Sequence, residues 1–223
     1  MTENQTVQKS VRRNRLAAAA CFAAALITAG VVGTQSAAAD GAAQRDAVAA
    51  RSTAVAAPGL GSARLVQSED FQKGMNPAGA TISLTGREGL SACSGEETMR
   101  DLTKGQATGY ASVTWTFETP GMLRESAASA PTGTTAATWE KQLVALVEVC
   151  QDEPAGHWHY GAAHTLTVTG GTARWYPAYN GDGGAAGGVA VLRSGTKVAI
   201  VEVPGEPASV EGVATAALKR LSS

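Results

Sequence analysis

The sequence predicts an α+β fold, a mostly antiparallel sheet of about five to six strands with two main helices packed on one face. Three observations carry that expectation. Tyr110–Phe117 alternates with period two, as a strand does when one side is covered and the other is wet. The C-terminal third repeats short alternating runs around glycine turns. Two other segments, Ala136–Cys150 and Ser209–Leu221, change to the helical period.

In chain order, the predicted domain begins near Arg64, with Ser68, Glu69 and Asp70 as a short helix start between Val66 and Phe71. Asn76–Gly79 reads as a turn and Ala80–Thr85 as a short strand. Residues 89–102 are mixed in character, with Cys93 as a fixed point. In Tyr110–Phe117, Val113, Trp115 and Phe117 face one way and Ser112, Thr114 and Thr116 the other. Pro120 and Gly121 end this strand, and Ser126–Thr134, small and polar, reads as a loop or weak helical start.

The first long helix carries Trp139, Leu143, Leu146, Val147 and Cys150 on one stripe, with Thr135 or Thr138 as its cap and Pro154 limiting its extension. His164–Thr169 and Thr172–Tyr176 form a hairpin around Gly170 and Gly171. Asn180–Gly188 reads as a glycine-rich loop. Val189–Leu192 and Lys197–Val203 then flank a second turn at Ser194 and Gly195. Pro204–Pro207 breaks the chain before a last helix striped by Val210, Val213, Ala217 and Leu221, whose C-terminal end Lys219 and Arg220 favour.

The N-terminus carries an export pattern. Lys9, Arg12 and Arg13 precede an apolar run, Leu16–Val32, of 17 residues, and Ala37 and Ala39 supply a small-residue cleavage site before Asp40. We therefore expect a signal peptide at 1–39, a flexible Ala/Gly-rich lead at 40–63 and one globular domain at 64–223. The competing readings are a retained anchor, for which the run is short and alanine-rich, and a lipid anchor on Cys21, which lies too early in the run. Arg12 and Arg13 lack the following apolar residue of a twin-arginine leader. The expected location is extracellular, with cell-envelope association left open.

Cleavage leaves fourteen basic against eighteen acidic residues, a net charge of −4, with no basic stripe. That excludes a nucleic-acid surface. No later stretch is long and apolar enough for stable membrane insertion. Only Cys93 and Cys150 follow the leader, and in an oxidising compartment they are expected to pair. The closed loop is worth about 4 kcal/mol on a chain-entropy estimate.

Candidate functional residues are few. His157, His159 and His164 lie close in sequence, so a zinc site with Asp152 or Glu153 is one reading and half-exposed sheet-edge residues the other. Gly181–Gly188 lacks the Gly-Lys-Ser/Thr ending and the strand-to-helix context of a phosphate cradle. Beside Trp175, Tyr176, Tyr179 and Asp182, that loop reads as a contact for a ligand or protein. The chain has no nucleophile elbow or zinc-protease motif, so no catalytic residue and no cofactor is predicted.

One family resemblance rests on the cysteine-terminated helix Trp139–Cys150, the strand Val198–Val203 and the closing helix Ala214–Leu221. Together they resemble the sensor-type extracellular domain of actinobacterial PknH-like serine/threonine kinases and of its free secreted or lipoprotein relatives. The resemblance implies helices against a curved antiparallel sheet around a groove, an extracellular ligand and no catalytic residues. Kinase-linked members have a second cysteine pair; this chain has one pair and neither a kinase domain nor an internal transmembrane segment. The sequence thus predicts a secreted, non-catalytic binding or sensor-like domain whose partner is a small molecule, an envelope component or a protein. The alternatives are a metal-binding protein or hydrolase built on the histidines, and a protein inhibitor acting through Gly181–Gly188.

Overall fold

The structure is a computed structural model, and it describes residues 60–90, 93–119 and 121–223. The predicted signal peptide and most of the predicted lead lie outside the described residues.

Eight strands form one antiparallel sheet: β1 (Pro77–Ser83), β2 (Gly109–Phe117), β3 (Met122–Ser129), β4 (His159–Tyr160), β5 (His164–Val168), β6 (Gly171–Tyr179), β7 (Ala185–Ser194) and β8 (Lys197–Val203). Their order across the sheet is β1-β2-β3-β8-β7-β6-β4, and β5 pairs with the other part of the same β6 edge. The described helices are the short α1 (Met99–Leu102), α2 (Gly133–Glu148) and α3 (Pro207–Ser222), with 3-10 turns at Ser62–Arg64 and Ser68–Asp70. The α+β class and the antiparallel sheet against helices are as expected.

The expectation of both long helices on one face is overturned. Val210, Val213, Ala217 and Leu218 of α3 pack with Val113, Leu123, Ala199 and Val201 on one side. Trp139, Leu143 and Val147 of α2 pack with Tyr176, Val191, Val198 and Ile200 on the other. The cause lies in β8, where Val198–Val201 is buried at every position. A strand that is apolar on both sides needs a cover on both. The sheet is thus the middle layer, and the described residues form a core on each of its faces.

Other differences have local causes. The strand count exceeds the expectation through the two-residue β4 and through β3, which reaches into the expected Ser126–Thr134 loop. Arg124, Glu125 and Ser126 hide β3, yet it pairs with both β2 and β8. Pro77 starts β1 rather than a turn, at an edge position where its missing N–H costs no ladder bond. Helix α2 is capped by Thr132, whose Oγ1 accepts from the Thr135 N–H at 3.1 Å. The glycine-rich loop is shorter than expected because β7 begins at Ala185. Gly187 has φ +87°, and a Cβ there would lie 2.1 Å from the Val203 carbonyl oxygen. A Cβ on the neighbouring Gly188 would lie 2.2 Å from that of Tyr176. These glycines serve close strand packing.

Cys93 and Cys150 are bonded, with Cα atoms 6.0 Å apart across a sequence separation of 57. The bond ties the chain just beyond α2 to the segment leading into α1. Closing so long a loop removes conformations from the unfolded chain. Such a bond belongs to an oxidising compartment. Among the described residues no helix is long and apolar enough to cross a membrane. The packed part reaches back to Leu60, which is buried with Leu65 and Val66 in the α3-side core.

Candidate functional site

The strand registers define rows of side chains across the sheet. One row on the α2 side reads Thr81, Thr114, Arg124, Glu202, Val189 and Tyr176 in directly opposed pairs. Helix α2 packs over β7 and β8, so Val189 and Tyr176 are buried. The cover thins toward β1–β3, where Thr81 and Thr116 are exposed and Thr114, Arg124 and Glu202 are half-buried. Arg124 and Glu202 stand opposite one another, so their charges are complementary across the strand pair. Thr114 adds a hydroxyl beside them, able to donate or accept.

At the Met122 end of this region the surface dips into a recess of about 130 Å³, lined by Met122, Trp158, Tyr160, Ala178, Glu202 and Pro204 among others. Trp158 and Tyr160 make an edge-to-face pair with centroids 4.7 Å apart. Met122 is 53 % exposed, one of the few large apolar side chains on the surface. Glu202 thus lines an aromatic-walled hollow, with Arg124 and Thr114 following it in the same strand row. An apolar seat with a few polar groups is the combination that both holds and orients a small ligand. A wider recess of about 650 Å³ lies over α1, framed by Arg87, Arg100 and Lys104. The acid there, Asp101, is engaged in capping Thr98, and the three basic side chains are solvent-exposed.

The histidines do not converge. His159 sits opposite Tyr179 and His164 opposite Trp175, so β6 holds them four positions apart, roughly 13 Å at strand rise. His164 stacks on Trp175 at 4.3 Å, His159 leans on Tyr179 at 5.8 Å, and the exposed His157 lies 3.6 Å from Glu153. Among the described residues no group of three or more His, Cys, Asp or Glu side chains is arranged to hold a metal ion. His159 and His164 thus pack on aromatic residues of β6, and His157 stands exposed outside the strands.

The residues read as a loop contact are also spread out. Trp175 is buried in the α3-side core and Tyr176 in the α2-side core, as neighbours on one strand must be. Burial raises the Tyr176 hydroxyl pKa, with Glu148 adding to the shift and Arg174 opposing it. Tyr179 is half-buried, and Asp182 accepts from the Gly184 N–H at 2.9 Å, closing the Asn180–Gly184 turn. Arg124, Glu202, Met122 and Trp158 were not singled out by sequence reasoning. Arg124 lay in an unrecognised strand, and the break in the alternation at Glu202, polar at the end of an apolar run, was the available sign.

No family model matches the chain, and no curated protein sequence matches it. Among solved structures it is similar to the crystal structure of the extracellular domain of PknH from Mycobacterium tuberculosis. The identity is 12 %, the TM-score 0.48, and the match covers 72 % of this chain and 93 % of that one.

Proposed function

We propose that the chain is an exported, disulfide-bonded, non-catalytic binding domain that seats an extracellular ligand on the uncovered end of its α2-side sheet face. The observation that supports this most is the row Thr114–Arg124–Glu202 beside the recess walled by Trp158 and Tyr160. Interior rows of a sheet flanked by helices are normally apolar and covered. Here a polar row of the same sheet is left open next to an aromatic hollow. The ligand carries hydrogen-bonding groups and an apolar edge, and it is met outside the cell, in the envelope or the medium. The predicted leader at 1–39 delivers the domain there.

Residues 40–223, purified with the disulfide intact, would be screened against soluble envelope glycan fragments and a small-fragment library by backbone amide NMR. Shifts clustered at Thr114, Arg124, Glu202 and Trp158, and lost in the Arg124→Ala variant, are expected. Shifts clustered instead at Tyr179 and Asp182 would move the seat to the Asn180–Gly184 turn and refute this placement.

A further inference from the structure

Glu125 is the fully buried acid of the α3-side core. It lies on β3 between Val113 and Val201, the two residues directly opposite it. Its Oε2 accepts the Val66 backbone N–H at 2.7 Å, and its Oε1, buried as well, has no protein hydrogen-bond partner. The Val66 carbonyl oxygen in turn accepts the Trp115 indole N–H at 3.2 Å. Both polar backbone groups of Val66 are thus held by side chains of β2 and β3, at the centre of the N-terminal strap formed by residues 60–75. The strap packs on this face alongside α3, burying its own Leu60, Leu65 and Val66 in the same core. A second clasp joins strap to helix, where Arg220 binds both Asp70 and Glu69.

A carboxyl in this position is costly to ionise, because one backbone N–H does not replace the water a carboxylate loses. Burial raises its pKa to about 8; the Val66 hydrogen bond opposes the shift, Asp70 adds to it, and Arg220 opposes it weakly. Asp70 and Arg220 are the charged groups facing Glu125 from the strap and from α3, and they are themselves paired. Its strand-row neighbours Val113 and Val201 are apolar and carry no charge.

We propose that Glu125 is a proton-operated latch for the N-terminal strap: its neutral acid form seals the strap to the sheet, and loss of the proton lets the strap lift while the helices and sheet stay folded. The direction follows from linkage. The docked state keeps a proton that the open state, with Glu125 in water, gives up above the ordinary carboxyl value of 4.5. The contribution of Glu125 to docking is therefore full at about pH 4.5 and weakens as pH rises from there to about 8. Above that it is constant. Within the window the opening equilibrium grows by up to about tenfold per pH unit.

The test is native-state hydrogen exchange of the Val66 amide from pH 5 to pH 9, corrected for intrinsic rates, with the Val191 and Ala199 amides of β7 and β8 as the global reference. Expected is a Val66 protection lower than that of the reference at every pH, falling by up to about tenfold per unit to about pH 8 and then level. In Glu125→Gln, which keeps an oxygen acceptor for the Val66 N–H but cannot ionise, Val66 protection should be flat with pH. Equal protection at Val66 and Val191 throughout would overturn the latch, because the strap would then open only with the whole molecule. That comparison needs the unmodified protein alone, so a poorly folding variant does not protect the proposal. A Glu125→Gln profile matching the parent would overturn it equally.

Discussion

Val113 and Thr114 are neighbours on β2, yet they belong to different rows. The row through Val113 runs Glu125, Val201, Ala190 and Trp175, all buried in the α3-side layer, and only its β1 member Ile82 is exposed, at the sheet edge. The row through Thr114 runs Arg124, Glu202, Val189 and Tyr176, and only its β7 and β6 members are buried. One face received a helix and a strap; the other received a helix and a disulfide-tied segment that stops short of the Met122 end. A sheet face of this kind is either covered or made polar, and here the uncovered end is polar with an apolar recess beside it. The α3 side is therefore the structural face, and the α2 side divides into a structural half and an accessible half.

The most severe way to break this contrast is to cut the covered face. Leu218 of α3 is fully buried against the sheet, and Leu218→Ala should lower the unfolding free energy by about 2–5 kcal/mol in urea titrations. The next largest effect belongs to the other side. Replacing Cys93 and Cys150 together by serine should cost about 2–4 kcal/mol, since the bond restricts the unfolded chain over a long loop. If the removed bond costs less than about 1 kcal/mol, the segment before α1 is held by packing of Leu90 and Met99 instead, and the disulfide is a minor part of the α2-side cover.

Much of this two-faced design was legible in the chain, but unevenly. The alternation of Val113, Trp115 and Phe117 placed their face correctly, and the helical stripes of α2 and α3 were recognised. The run Val198–Val201 held the missing clue, because four apolar residues in succession on a strand require two covers. Reading both helices onto one face overlooked it. β3 was missed for a different reason. Its burial of Glu125 and Ser126 depends on Val66, 59 residues away from Glu125, and on β8, so local propensity gives no hint of it. The candidate site is legible only after β3 is placed, since Arg124 and Glu202 become neighbours through the β3–β8 ladder. The histidines show the converse: His159 and His164 are close in sequence, yet strand pairing holds them at separate positions along β6.

The cap of α2 sharpens the comparison at smaller scale. Thr132 Oγ1 accepts the Thr135 N–H at 3.1 Å, and Thr132→Ala should cost about 1 kcal/mol. The loss should show as faster amide exchange in the first turn of α2, with α3 unchanged. Equal loosening of α3 would mean that the two faces are not independent layers.

The finest test uses the two neighbours on β2. Val113→Ala removes buried methyl groups from a packed row and should cost about 2 kcal/mol. Thr114→Ala removes a methyl and a hydroxyl from the half-buried row, where water can take the vacated space, and should change stability by no more than about 0.5 kcal/mol. Both are β-branched residues in the same strand, so the change in strand propensity is similar and largely cancels in the difference. What remains is the environment of each face. A Thr114→Ala loss as large as that of Val113→Ala would show that this end of the α2 face is packed as tightly as the other side, and the open row would no longer be a seat for a ligand.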